Sequence, residues 1–69
     1  MEEFIIEYHF GVKDKIFRLV RSLNDDPKLV LMTNMSGEGT SFTDINGYYC
    51  SFDYSQVKYI RVYPYSQLT

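Results

Sequence analysis

The chain has 69 residues, enough for one small domain over 1–69 and too few for a multi-domain enzyme, a solenoid or a pore. Hydrophobic residues make up 45 % and charged residues 23 %, the balance of a folded globule, and a net charge of −2 argues against a dedicated nucleic-acid binder, whose domain is usually basic. The single cysteine, Cys50, excludes an internal disulfide framework, and Met1-Glu2-Glu3-Phe4 has neither the basic region nor the apolar run of a signal peptide, so the expectation is a cytoplasmic chain without a membrane span.

Residues 4–10 alternate. Phe4, Ile6, Tyr8 and Phe10 share one face, and Glu7 and His9 lie on the other, which Ile5 spoils. This is the pattern of a half-buried strand with a solvated His9. After Gly11 the period changes. At roughly 100° per residue, Val12, Ile16, Leu19, Val20 and Leu23 fall in one arc, which predicts a helix over 12–24. A strand there would place Arg18 beside Ile16 and Val20; the alternative is a hairpin turning at Gly11–Lys15. Asn24-Asp25-Asp26-Pro27 ends the helix, because proline disfavours helical backbone at the residue before it.

Lys28 to Asn34 reads as a strand, Ser36-Gly37-Glu38-Gly39 as a turn, and Thr40 to Ile45 as the next strand. Asn46-Gly47 predicts a two-residue type I′ hairpin, which pairs Ile45 with Tyr48, Thr43 with Cys50 and Phe42 with Ser51. On that register Ile45, Tyr48, Cys50 and Phe52 face the core, and Phe42 and Tyr49 face away. Asp53-Tyr54-Ser55-Gln56 connects to a last strand, Val57 to Tyr63, which Pro64 stops. The expected fold is α+β: a small, mostly antiparallel sheet in the order β-α-β-β-β-β with one helix packed on one face.

Most chemistries lack their residues. Cys50 and His9 are the only candidates for a nucleophile and its base, and a core-face thiol is inert. One His and one Cys cannot furnish a tetrahedral metal site. Ser36-Gly37-Glu38-Gly39-Thr40 matches no complete phosphate-binding motif, and Glu38 would repel a phosphate. Glu7, Asp44 and Asp53 could meet in space, but nothing in their spacing requires it. The expectation is a non-enzymatic chain with no cofactor and no metal.

Two surfaces stand out. If Ile60 and Val62 face the core, then Tyr59, Arg61 and Tyr63 project from the other side, and with Phe42 and Tyr49 they make a Tyr- and Arg-rich sheet face. These residue types dominate interface hot spots, although cross-strand aromatic pairing alone could also place them there. The second is a basic face on residues 12–24, formed by Lys13, Phe17, Arg18 and Arg21 together with Lys15, suited to an acidic partner or to phosphates.

Glu7-Tyr8-His9 followed by Gly11 and Phe17, at a predicted strand-to-helix junction, resembles a stretch in the small uracil-DNA glycosylase inhibitors of Bacillus phages. The resemblance covers a minor part of the chain and implies a short, acidic, non-enzymatic protein. An acidic residue follows the matching Phe in that family, whereas Arg18 does here, and four strands after the helix are not the family's arrangement. The functional expectation is a small protein-binding module: a phage- or mobile-element-type inhibitor that occludes a host enzyme or defence protein. The alternative is a single-stranded nucleic-acid-binding β domain using its Tyr face. Val57–Tyr63, if it is a sheet edge, would be buried by a homodimer.

Overall fold

The computed structural model describes residues 2–67. It has the expected α+β class, small antiparallel sheets with one helix, but in the order β-β-α-β-β-β. The strands are β1 (Glu2–His9), β2 (Lys15–Ser22), β3 (Gly39–Thr43), β4 (Tyr49–Asp53) and β5 (Tyr59–Pro64), and the helix is α1 (Pro27–Thr33). A three-stranded sheet runs β2-β1-β5, and β3 and β4 form a separate two-stranded sheet.

Residues 12–24 are therefore not a helix. β2 folds back on β1 through Gly11-Val12-Lys13, with the Phe10 amide donating to the Asp14 carbonyl at 2.8 Å, and pairs from Glu2↔Ser22 to His9↔Lys15. The turn is the hairpin alternative. Two residues of the apolar helical arc, Val12 and Leu23, are fully or largely exposed. Arg18 does share a face with Ile16 and Val20, and the interior accommodates it. Its guanidinium lies 4.8 Å from the centre of the Phe42 ring and donates to the Tyr8 hydroxyl at 3.3 Å. The aliphatic stem packs while the charge keeps partners.

The helix lies where a strand was expected, because Asp26-Pro27 starts a helix rather than stopping one. The Asp26 side chain accepts from the Lys28 amide at 3.0 Å, and Pro27 takes the first helical position, where its missing N–H costs nothing. Asn34 closes the other end, its side-chain amide donating to the Val30 carbonyl at 2.8 Å. Only Val30 of this helix is fully buried.

The β3–β4 turn is one residue longer than expected. Asp44-Ile45-Asn46-Gly47 closes with the Gly47 amide donating to the Asp44 carbonyl at 3.0 Å, and the Asp44 amide donates to the Tyr48 carbonyl. The Asp44 carboxylate accepts from the amides of Asn46 and Tyr48, both at 2.9 Å. Gly47 has φ of 89°, and no non-glycine residue described has positive φ, so the turn is not type I′. It is a type I turn followed by a left-handed glycine, the usual three-residue hairpin loop. The register becomes Thr43↔Tyr49 and Phe42↔Cys50. One residue of slip exchanges the two faces of a strand. Phe42, expected on the outer face, is 8 % exposed in the core, while Ile45 and Tyr48, expected inside, are exposed.

The core lies between one face of the three-stranded sheet and a cover of α1 and the β3–β4 hairpin. Phe4, Ile6, Tyr8 and Val20 come from the sheet, Val30 from the helix and Phe42 from the hairpin. Tyr8 stacks on Phe42 at 5.2 Å and meets the edge of Phe52 at 5.1 Å. β5 returns to pair with β1, not with the hairpin, and ends the sheet as an edge strand, which is where Pro64 is tolerated.

Candidate functional site

The sheet face turned away from the core gathers side chains from three strands. Alternation and register place Glu3, Ile5, Glu7 and His9 of β1 on it, flanked by Arg21, Leu19, Phe17 and Lys15 of β2 and by Tyr63, Arg61 and Tyr59 of β5. Glu7 stands opposite Phe17 on one side and Arg61 on the other.

Glu7 is the hub. It is buried, as is His9, so neither sits in solvent as expected; β1 is the central strand and both of its faces are covered. A buried carboxylate needs partners. His9 Nε2 donates to Glu7 Oε1 at 2.8 Å, which makes Nε2 the protonated nitrogen while Glu7 is ionised. The Tyr63 hydroxyl donates to Glu7 Oε2 through a short hydrogen bond. Arg61 Nε lies 3.4 Å from Glu7 Oε1. Burial alone would raise the Glu7 carboxyl, but the hydrogen bonds from Tyr63 and His9 and the charge of Arg61 outweigh it and hold the group below its ordinary value. Burial, reinforced by the bond to Glu7 and its negative charge, pushes the Tyr63 phenol up to about 12 against the opposing charge of Arg61. Both shifts lock the protonation states of neutral pH; neither poises a group to titrate there.

The same hub fixes the aromatic rings. Tyr59 lies flat on His9, with ring centres 4.2 Å apart and planes 9° from parallel, and remains 52 % exposed. Arg61 stands 5.9 Å from the Tyr63 ring centre, and Lys15 reaches to 5.5 Å from the Phe17 ring centre on the other side of β1.

Of the residues expected on the aromatic face, Tyr59, Arg61 and Tyr63 come together as anticipated. Phe42 is in the core, and Tyr49, 75 % exposed, projects from the separate hairpin. The basic face dissolves with the helix that carried it. Phe17 and Arg21 join the Tyr59 face, Arg18 turns to the core, and Lys13 lies in the β1–β2 turn. Glu7 and His9, which the sequence offers only as candidates for catalysis, and Leu19 also belong to this face. The clue was Ile5: an apolar residue sharing the face of Glu7 and His9 marks a strand covered on both sides.

Cys50 is half-buried against the core, away from the face that carries His9. Burial and the neighbouring Asp44 carboxylate push its thiol up, the wrong direction for a nucleophile. Asp44 is committed to its turn. Among the described residues no three His, Cys, Asp or Glu side chains group to hold a metal ion, and no helix is long and apolar enough to cross a membrane. No protein-family model matches the chain, and neither the curated proteins nor the solved structures contain a significant match. The segment that resembles the glycosylase inhibitors joins two strands here, not a strand and a helix.

Proposed function

We propose that this chain is a small, non-enzymatic, cytoplasmic binding module that acts by covering the surface of a partner protein, as an inhibitor does. The observation that carries this reading is the fixed aromatic surface on β5. Tyr59 is half-exposed yet held flat on a buried His9, and Tyr63 is anchored by Glu7. Rings already immobilised lose little entropy on docking, and that is what distinguishes a hot spot from an exposed side chain. The Glu7 carboxyl, held below its ordinary value, and the Tyr63 phenol, pushed up to about 12, keep their charge states at neutral pH, which suits a scaffold better than a proton-transfer site.

A second reading, stacking of single-stranded bases, draws on the open Tyr59 ring, with Arg61 on the same strand and Lys15 across β1. Glu3 and Glu7 on the same face weigh against it. The test is capture of a partner on immobilised wild type, Tyr59→Ala, Arg61→Ala and Tyr49→Ala. The expected result is a protein retained by wild type and Tyr49→Ala, with at least about tenfold weaker retention by the other two variants. Equal retention by all four would refute the choice of face. Saturable binding of oligothymidylate that weakens by orders of magnitude from low to physiological salt would establish the second reading instead.

A further inference from the structure

We infer that the partner docks an acidic segment on this face, seating a carboxylate on Arg61 with a neighbouring apolar side chain against Phe17. The inference rests on the reading of the face as a docking surface and concerns the chemistry of what docks. Charge is unevenly divided over the chain. The face holds three cations, Lys15, Arg21 and Arg61, against Glu3 and Glu7, whereas the rest of the chain holds four cations against seven acids. An acidic protein thus carries one locally basic face.

The depth of the charges sharpens the contrast. The side chains of Arg61 and Arg21 are 61 % and 72 % exposed, while their partners Glu7 and Glu3 are 8 % and 37 % exposed. Glu7 is turned inward, Glu3 is partly screened, and both arginines face outward. Lys15 is exposed and, among the described residues, has no acidic partner; it rests on the Phe17 ring. An approaching anion meets the three positive groups before the buried Glu7 carboxylate, and the net negative charge of the rest of the chain repels it from other directions, so encounter is steered to this face.

The contour of the face selects among anions. A shallow cleft of about 690 Å³ opens over Glu7, with Phe17 on one side and Arg61, Tyr63 and Gln67 on the other. Arg61 spends its Nε on Glu7, which leaves the terminal nitrogens of its planar fork for a two-point contact with a carboxylate. Phe17 offers an apolar wall within the same cleft. An occupant that alternates carboxylates with apolar side chains matches both. A phosphodiester backbone matches less well, because it carries no apolar side chain to seat against Phe17 between its charges.

The experiment is an amide chemical-shift titration of the full chain with a short peptide of alternating glutamate and leucine, with a glutamine–leucine peptide and oligothymidylate as comparisons. Saturable shifts at Lys15, Phe17, Arg61 and Tyr63 are expected, with about tenfold weaker binding of the glutamine peptide to wild type and of the glutamate peptide to Arg61→Gln. Equal binding of the two peptides, shifts confined to Tyr48 and Tyr49 or to α1, tighter binding of oligothymidylate, or no shift at millimolar peptide would each overturn the inference. If it falls while Tyr59→Ala still abolishes capture of a protein partner, the docking face stands and only its preferred charge is wrong. If Tyr59→Ala also leaves capture unchanged, both readings fall together.

Discussion

Glu7→Gln is the sharpest probe of the hub, because it removes the charge and keeps the shape. The wild-type carboxylate accepts from Tyr63 and His9 and faces Arg61 at 3.4 Å. An amide offers one acceptor oxygen and presents N–H groups where the other donor points. One charge-assisted hydrogen bond is lost, worth about 1.5–3 kcal/mol, and a buried donor is left facing a donor. The Arg61 pair adds little, since its guanidinium is largely solvated. A loss of about 2 kcal/mol lowers Tm by about 8–16 °C in a domain of this size. That is much of the roughly 3–5 kcal/mol such a core supplies. The loss should also depend on pH. Glu7 is held below its ordinary value of 4.5, so its contribution is complete above that value and disappears as pH falls through the depressed folded value. Thermal melts by circular dichroism at neutral pH and at about pH 3, below the ordinary value, should therefore show a larger gap between wild type and variant at the first than at the second. A gap of under about 2 °C at neutral pH, or one of equal size at both, would refute the hub.

The remaining predictions test neighbouring parts of the same scheme. Tyr63 is pushed up to about 12, so its contribution to stability is full below the ordinary tyrosine value of 10.0 and is lost as pH rises from there to about 12. In an ultraviolet titration of the folded chain, one late-ionising tyrosine should disappear in Tyr63→Phe. Phe42→Ala should cost about 3–4 kcal/mol and Tyr49→Ala under about 0.5 kcal/mol by urea denaturation, and equal costs would contradict the register that buries Phe42. Deleting Ile45 leaves Asn46-Gly47 as a two-residue turn between Asp44 and Tyr48, which preserves the pairing of β3 with β4. Folding should survive with a loss of about 1–2 kcal/mol, chiefly from the Ile45 amide's bond to the Phe17 carbonyl and the altered Asp44 cap. Gly47→Ala keeps the length but forces a Cβ into φ of 89°, and should cost about 1 kcal/mol or more in the same assay.

Helix and strand traded places between sequence and structure for an identifiable reason. Residues 12–24 satisfy a helical period only by counting Val12 and Leu23 as core, and both lie beyond the ends of β2, in solvent. What decides for the strand is pairing with β1 across the turn, a match between two segments that the periodicity of residues 12–24 taken alone does not report. The apparent objection to a strand, a cation among Ile16 and Val20, vanishes once Phe42 and Tyr8 stand opposite it, the first distant in sequence and the second on the paired strand. Asp26-Pro27 is a different kind of error. Proline blocks a preceding helix and suits the first turn of a following one, so the dipeptide marks a boundary without its direction. An aspartate directly before the proline, able to accept from the amide two residues on, favours the start.

The candidate site was legible where it depends on alternation within one strand and illegible where it depends on which strands pair. Period two alone puts Tyr59, Arg61 and Tyr63 on one side of β5, opposite Ile60 and Val62, whatever lies next to it. Their partners follow from register. Pairing β5 with the hairpin brings in Phe42 and Tyr49, whereas pairing it with β1 brings in Glu7 and His9 and, one strand further, Phe17 and Lys15. The second arrangement is the one that satisfies the polar groups. A central strand carrying Glu7 and His9 two residues apart must bury both, and neither can be buried alone at acceptable cost. They therefore require donors and rings from an adjacent strand. β5 supplies Tyr59 directly beside the imidazole, and for the carboxylate Arg61 directly beside it and Tyr63 from the diagonal position opposite Ile5. The aromatic surface proposed to meet a partner is thus the outer side of the arrangement that makes the polar centre of the sheet tolerable. A substitution that loosens the first should register in the stability contributed by the second.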